Sequence, residues 1–357
     1  MKYKIGKHLQ RLALIIIIAS VAIVQSCTQN QSALPSDSEQ RDDLHVLSPD
    51  LNYPELRDDS RALRRDYAPF SEGTRLVSPK TPPSLQIDRD YPKLDGAIAL
   101  VPIYAAAANA IYKENEKQDS EIDEISRKEA IGFSETTPAV YKALIDGRAD
   151  IIFAAAPSKE QIKEAAKKGI TYTLTPIGRE AFVFIVNEQN PVTNLSVEQI
   201  RGIYSGKIND WQEVGGASGK ILAFQRNEGS GSQTTMQQNV MVGTQMRKPL
   251  ETEYNSGMGG IIRRTANYRN LDHAIGYSFR FYATVMYSVP GIRLIAINNI
   301  EPTVENIRNS AYLFTGDIYM VTARPLSENA KKLHDWFLSD EGQQLIEDVG
   351  YVSVYKN

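Results

Sequence analysis

From Tyr91 onward, short apolar runs alternate with amphipathic stretches, and this alternation restricts the chain to a narrow set of folds. Ala97–Val101 reads as a strand. Pro102 then opens a helix running to about Glu116, since proline is well placed in a first helical turn. Ala139–Asp146 predicts a helix and Asp150–Ala154 a strand. Ser158 with Gln161 makes a capping-box pattern for a helix to Lys168, and Ser196 with Gln199 makes another for a helix ending near Gly206. Ala181–Val186 is a buried strand run and Lys220–Phe224 a strand, followed by a helix over Ser232–Val242. Gly291–Ile297 and Asp317–Thr322 read as strands and Ser327–Leu338 as an amphipathic helix. Strands alternating with helices imply an α/β fold with largely parallel sheets.

The residues before this region set the expected address. Lys2, Lys4, Lys7 and Arg11 precede an apolar run, Leu12 to Val24, and no acid occurs before Asp37. That is the pattern of a signal peptide, and the run is short for a membrane span. It ends in Val24-Gln25-Ser26-Cys27, which resembles a bacterial lipobox, and Cys27 is the only cysteine. The expectation is a signal peptide over 1–26 and a lipid anchor on Cys27; the plainer reading is an anchor helix with a stray cysteine. With no second cysteine, the body must hold together by its core alone. Residues 27–90 are rich in Ser, Asp, Arg and Pro and read as a tether or an irregular extension, onto which Tyr53, Tyr67 and Phe70 could fold back. The formal net charge of −3 becomes more acidic once the four cations of the export segment are removed. No basic stripe is present, which argues against nucleic acid as a partner.

Three strand-to-helix turns are candidate binding elements. The sharpest is Arg226-Asn227-Glu228-Gly229-Ser230-Gly231-Ser232. Its glycines let backbone N–H groups approach a ligand, and the helix start supplies unpaired donors and partial positive charge. Ser230 and Ser232 add hydroxyls, and Arg226 adds a planar fork suited to a tetrahedral oxyanion. The alternative is an ordinary Gly/Ser turn capped by Ser232. The second turn, Asp95-Gly96-Ala97-Ile98-Ala99, offers the backbone N–H groups of Gly96, Ala97 and Ile98. The third, Phe133-Ser134-Glu135-Thr136-Thr137-Pro138, offers the hydroxyls of Ser134, Thr136 and Thr137. Ligands in open α/β sheets sit at the carboxyl ends of strands, where such turns lie. Only His273 and His334 fall in the body, with no His-Glu-x-x-His, cysteine cluster or Ser-x-x-Lys. Neither an enzyme, nor a metal, nor a cofactor is expected.

The runs Pro176-Ile177-Gly178-Arg179-Glu180-Ala181-Phe182-Val183-Phe184-Ile185-Val186-Asn187 and Gln199 to Trp211 carry a resemblance, together with Arg226–Ser232, Ala274-Ile275-Gly276-Tyr277-Ser278 and Asp340-Glu341-Gly342-Gln343. Over about Tyr91–Val354 the chain resembles the phosphate-binding protein family of ABC transporters. That resemblance implies the two-lobed type II periplasmic-binding-protein fold, with a hinge of two crossovers near 176–180 and 278–290. Lobe one would be 91–176 plus 290–357, and lobe two 178–285. It implies an extracytoplasmic, membrane-anchored lipoprotein that passes phosphate, or a similar oxyanion, to an ABC permease. By the same likeness Arg226 binds the anion bidentately, Ser230, Ser232, Thr136 and Thr137 donate hydroxyls, and Gly96, Ala97, Ile98 and Gly231 present N–H groups. Two departures stand out. Ala97 and Ile98 occupy the place of a Ser-Thr pair, and Phe153-Ala154-Ala155-Ala156-Pro157 lacks the acid some relatives carry. Each lost hydrogen bond to a charged ligand costs about 1.5–3 kcal/mol. A lipoprotein sensor or scaffold that kept the fold but lost tight phosphate binding is the alternative.

Overall fold

The computed structural model describes residues 59–255, 257–267 and 273–354; the export segment, Cys27 and Tyr53 lie outside the described residues. Helix α1 (Asp59–Asp66) opens the described chain, and an irregular stretch follows it to strand β1 (Leu94–Gly96). This stretch packs on the body. Leu63 and Tyr67 are buried in the main core, and Phe70 N donates to Asn109 Oδ1 at 2.7 Å. The Arg127 guanidinium lies 5.1 Å from the Phe70 ring, and Arg75 donates to the Val285 carbonyl at 3.0 Å.

Beyond β1, a single 3-10 turn (Ile98–Leu100) runs into α2 (Val101–Ile111). The strand expected over 97–101 is therefore a helix start, and β1 lies three residues earlier. The reason is burial on all sides: Val101 through Ala108 are buried, and a short apolar run does not distinguish a buried helix from a buried strand. Next come α3 (Ser120–Glu129), α4 (Thr137–Ile145), β2 (Ile151–Ala154), α5 (Lys159–Lys167) and the long β3 (Thr173–Asn187). Then follow β4 (Asn194–Leu195), α6 (Val197–Ser205), β5 (Leu222–Ala223), β6 (Gln225–Arg226), α7 (Gly231–Thr235), β7 (Tyr254–Asn255), α8 (Met258–Asn267) and β8 (Ala274–Phe279). The chain closes with β9 (Ile292–Leu294), β10 (Ala296–Ile297), α9 (Val304–Arg308), β11 (Thr315–Thr322), α10 (Glu328–Phe337), α11 (Asp340–Val349) and β12 (Val352–Ser353). Both capping boxes form. Ser158 N donates to Gln161 Oε1 at 2.7 Å and Ser196 N to Gln199 Oε1 at 2.8 Å, fixing the starts of α5 and α6.

One long strand changes partners along its length. Strand β3 pairs with β11 up to Ala181, then with β8 from Phe182 onward and with β9 at its end. The sheet order is β1-β2-β11-β3-β8-β5, with β12 and β9 also on β3. The expectation of largely parallel sheets is corrected here. Strands β11, β8, β12 and β9 all run antiparallel to β3, and the parallel pairs are β1–β2, β5–β8, β10–β4 and β6–β7. Alternation along the chain reports that strands and helices exist, not which strands become neighbours. Strand β9 joins the far end of β3, and β10 pairs with β4 in a separate two-stranded sheet.

The aromatic core supports the places where strands end. Tyr104 stacks on Phe153 with centroids 5.2 Å apart, beneath the β1–α2 turn, and Phe182 packs on Tyr277 at 5.3 Å, where β3 changes partner. All four are buried, each contributing roughly 1.5–3 kcal/mol of apolar transfer energy.

Candidate functional site

The three turns singled out in the sequence surround one cavity of about 640 Å³, whose walls include Ala97 and Ile98, Glu135–Pro138, and Arg226 with Ser230–Ser232. Two of the expected residues do not line it. Gly96 holds the end of β1 tight against its neighbours, because a Cβ there would meet the Tyr104 ring at 2.6 Å and the Phe153 carbonyl oxygen at 2.9 Å. Its N–H donates to Asp95 Oδ1 at 2.8 Å. Ser134 donates its hydroxyl to Asp95 Oδ2 at 2.6 Å and its N–H to Oδ1 at 2.9 Å. The buried Asp95 carboxylate therefore ties the first turn to the second, and Gly96 and Ser134 serve that tie. Ala97 N is likewise committed, to the Phe153 carbonyl at 2.8 Å. Ile98 and Ala99 begin the helical run that continues as α2, where first-turn N–H groups have no intrahelical acceptor.

The second turn keeps donors for a ligand. Thr136 caps α4 by accepting from Ala139 N at 3.3 Å, and Thr137 Oγ1 accepts from Gly231 N at 3.0 Å. In both, the oxygen is the acceptor, which leaves the hydroxyl hydrogen to be donated. The bond from Gly231 corrects another expectation, since its N–H faces Thr137 rather than the cavity. It also brings the second and third turns into contact. Gly229 takes a left-handed φ of +76°, and a Cβ there would lie 3.4 Å from Pro138.

The third turn carries the cation. Arg226 N donates to the Tyr277 hydroxyl at 3.0 Å and to Gln233 Oε1 at 3.3 Å, which fixes the backbone from which the guanidinium extends. Burial lowers the guanidinium pKa from its ordinary value, against the opposing effect of the Tyr277, Tyr282 and Tyr254 phenol oxygens. Ser230 caps α7 by accepting from Gln233 N at 3.3 Å. Ser232 is buried on the cavity wall, and its Oγ has no hydrogen-bond partner among the described residues. Such a group normally costs about 1–3 kcal/mol unless something else satisfies it.

Several wall residues were not anticipated. Gly257, Met258, Gly259 and Gly260 bring the start of α8 to the same cavity. The Gly-rich turn before a helix was the available signal, the same one that exposed Arg226–Ser232. Arg263 also lines the cavity, with its guanidinium 5.5 Å from the Tyr287 ring. Glu180 reaches the wall from β3, at the point where pairing passes from β11 to β8. Its two oxygens accept Ala181 N at 2.8 Å and Phe281 N at 3.0 Å, yet desolvation raises its pKa to about 7. Two π-helical segments, Met236–Val240 and Tyr282–Met286, place Asn239 and Tyr282 on the wall. Among the described residues no group of three or more His, Cys, Asp or Glu could hold a metal ion, and no helix is long and apolar enough to cross a membrane.

A family model described as a PBP superfamily domain matches residues 107–341. The chain belongs to the PBP superfamily. Among curated relatives of this superfamily member, phosphate-binding protein PstS of Borreliella burgdorferi is 24% identical over 63% of this chain and 77% of its own. PstS of Bacillus subtilis is 24% identical over 73% of this chain and 80% of its own. A Vibrio cholerae structure described as an ABC-type phosphate transport receptor matches at a TM-score of 0.53 and 18% identity, covering 72% of this chain and 98% of that one. A Clostridium perfringens protein solved with bound phosphate matches at a TM-score of 0.56 and 24% identity, covering 73% of this chain and 98% of that one. At these identities the solved structures establish the two-lobed PBP fold.

Proposed function

We propose that this PBP-superfamily protein is an extracytoplasmic solute-binding component that captures an oxyanion, phosphate foremost, and delivers it to an ABC permease. The reading is carried by one observation. Arg226, the Thr136 and Thr137 hydroxyls, Ser230, the unpartnered Ser232 Oγ and the helical start at Ile98 all face one cavity. Preorganised donors and a desolvated guanidinium are what a dehydrated tetrahedral anion needs in the absence of a metal. The curated relatives are named as phosphate-binding proteins, and we read this chain as a binder rather than an enzyme.

The two groups of strands on β3 would act as lobes that close about their crossovers, with ligand binding shifting the population toward the closed form. Cys27 would hold the protein at the membrane surface through lipid. Calorimetric titration of the full-length protein with phosphate tests the site. Truncating one partner of a buried, hydrogen-bonded charge pair costs about 2–5 kcal/mol, so Arg226→Ala should weaken binding about thirtyfold or more. Unchanged affinity in that variant would exclude this cleft.

A further inference from the structure

The space between the turns is larger and more apolar than a bare tetrahedral oxyanion requires. At about 640 Å³ it has room for on the order of twenty waters at about 30 Å³ each, whereas phosphorus with its four oxygens fills the room of roughly two or three. The walls already meet on one side, through the bond from Gly231 N to Thr137 Oγ1 at 3.0 Å and the contact of Gly229 with Pro138. The second and third turns are thus held together on that side, and the rest of the cavity lies beside their contact.

The remaining wall is chemically distinct. Ile98, Met258, Phe279 and Tyr319 come from four separate segments, and all line the cavity while only half-buried. Each packs on the hydrophobic core, and the Tyr319 hydroxyl donates to Asp317 Oδ2 at 3.4 Å. Apolar surface in a pocket is stabilised by an apolar occupant, not by a hydrated anion. The first turn adds to this: Ala97 N is committed to Phe153, and the side chains of Ala97 and Ile98 carry no donor for a fourth anionic oxygen. Side-chain donors for a charged head lie on the other two turns, where Ser232 Oγ is buried and has no hydrogen-bond partner among the described residues.

We propose that the cleft takes a monosubstituted oxyanion, a phosphomonoester or a phosphonate. Its organic substituent lies against Ile98, Met258, Phe279 and Tyr319, and its three unsubstituted oxygens meet Arg226 and the Ser and Thr hydroxyls. The inference rests on the reading of this cleft as an oxyanion site. The test is calorimetric titration of the full-length, detergent-solubilised protein with inorganic phosphate and with phenylphosphonate, which cannot be hydrolysed. Phenylphosphonate should bind about tenfold or more tightly than phosphate. Phe279→Ala and Ile98→Ser should each narrow that ratio; Ile98→Ser alters a half-buried residue on a different element and so guards against loss of folding in the other variant. Phosphate binding as tightly as phenylphosphonate, or more tightly, overturns the inference and leaves the oxyanion reading standing. A ratio unmoved by either substitution overturns the placement of the substituent. Binding of neither anion overturns the oxyanion reading together with the inference.

Discussion

Glu180 makes stability depend on pH in a direction opposite to that of most carboxylates. Its carboxyl is buried where β3 passes from pairing with β11 to pairing with β8, and desolvation raises its pKa from 4.5 to about 7 despite two backbone donors and the nearby Arg280. Between pH 4.5 and about 7 the folded chain keeps this proton while the unfolded chain releases it. The folded state then binds more protons, so stability falls as pH rises, at about 1.4 kcal/mol per unit. The loss accumulates to about 3 kcal/mol and is complete above the folded pKa. Glu180→Gln removes the titration. The amide has one oxygen for two N–H donors, those of Ala181 and Phe281, and leaving one unsatisfied costs about 1–3 kcal/mol at every pH. The variant should therefore be the less stable protein at pH 5, with the gap closing or reversing by pH 8.5. Urea denaturation of both proteins at pH 5, 6, 7 and 8.5, with equal m-values, measures the difference. Parallel stability curves for the two proteins across that range would refute the argument, because they would mean that Glu180 titrates alike in folded and unfolded chains.

Ser232→Ala should not lower the stability of the ligand-free protein, and should raise it by up to about 1–3 kcal/mol, since an unsatisfied buried hydroxyl is removed and no protein hydrogen bond is lost, while oxyanion affinity falls about tenfold or more. A large loss of stability with unaltered titration would mean that Ser232 is purely structural. Gly342→Ala should destabilise by about 1–3 kcal/mol or more, because the new Cβ would meet the Trp336 carbonyl oxygen at 2.2 Å and Phe337 Cα at 2.6 Å, both backbone atoms. An unchanged thermal transition would contradict that packing. Tyr67→Ala should cost about 3–5 kcal/mol, since its ring is buried in the core and carries Arg75 at 5.1 Å. Limited proteolysis should then cut first between residues 61 and 90, and protection equal to wild type would show that this stretch is held elsewhere.

Local patterns carried far where the physics is local. The capping boxes at Ser158 and Ser196 set the helix starts, because each joins residues only three apart. Arg226–Ser232 was recognisable as a strand-to-helix turn, since glycine and hydroxyl residues there answer to the first turn of α7 itself. Ala97–Val101 misled, because a run buried on every side has no face to betray its period. Glu180 gave no warning. Its neighbours Ala181–Val186 read as strand, and only the approach of Phe281 N, 101 positions away, makes it a buried carboxyl.

The sequence by itself determined that strands alternate with helices, where several helices begin, and which turns bring glycine and hydroxyl residues to a helix start. Only the tertiary structure decided which donors remain for a ligand. Gly231 N turns to Thr137, 94 positions away, and Ser134 turns to Asp95, 39 positions away. It also decided that β3 is shared by two antiparallel neighbourhoods, β11 and then β8. The physical reason is the same in each case. A donor in a closed cleft is satisfied by whatever polar atom folding brings within about 3 Å, and that neighbour is set by packing of distant segments rather than by spacing along the chain.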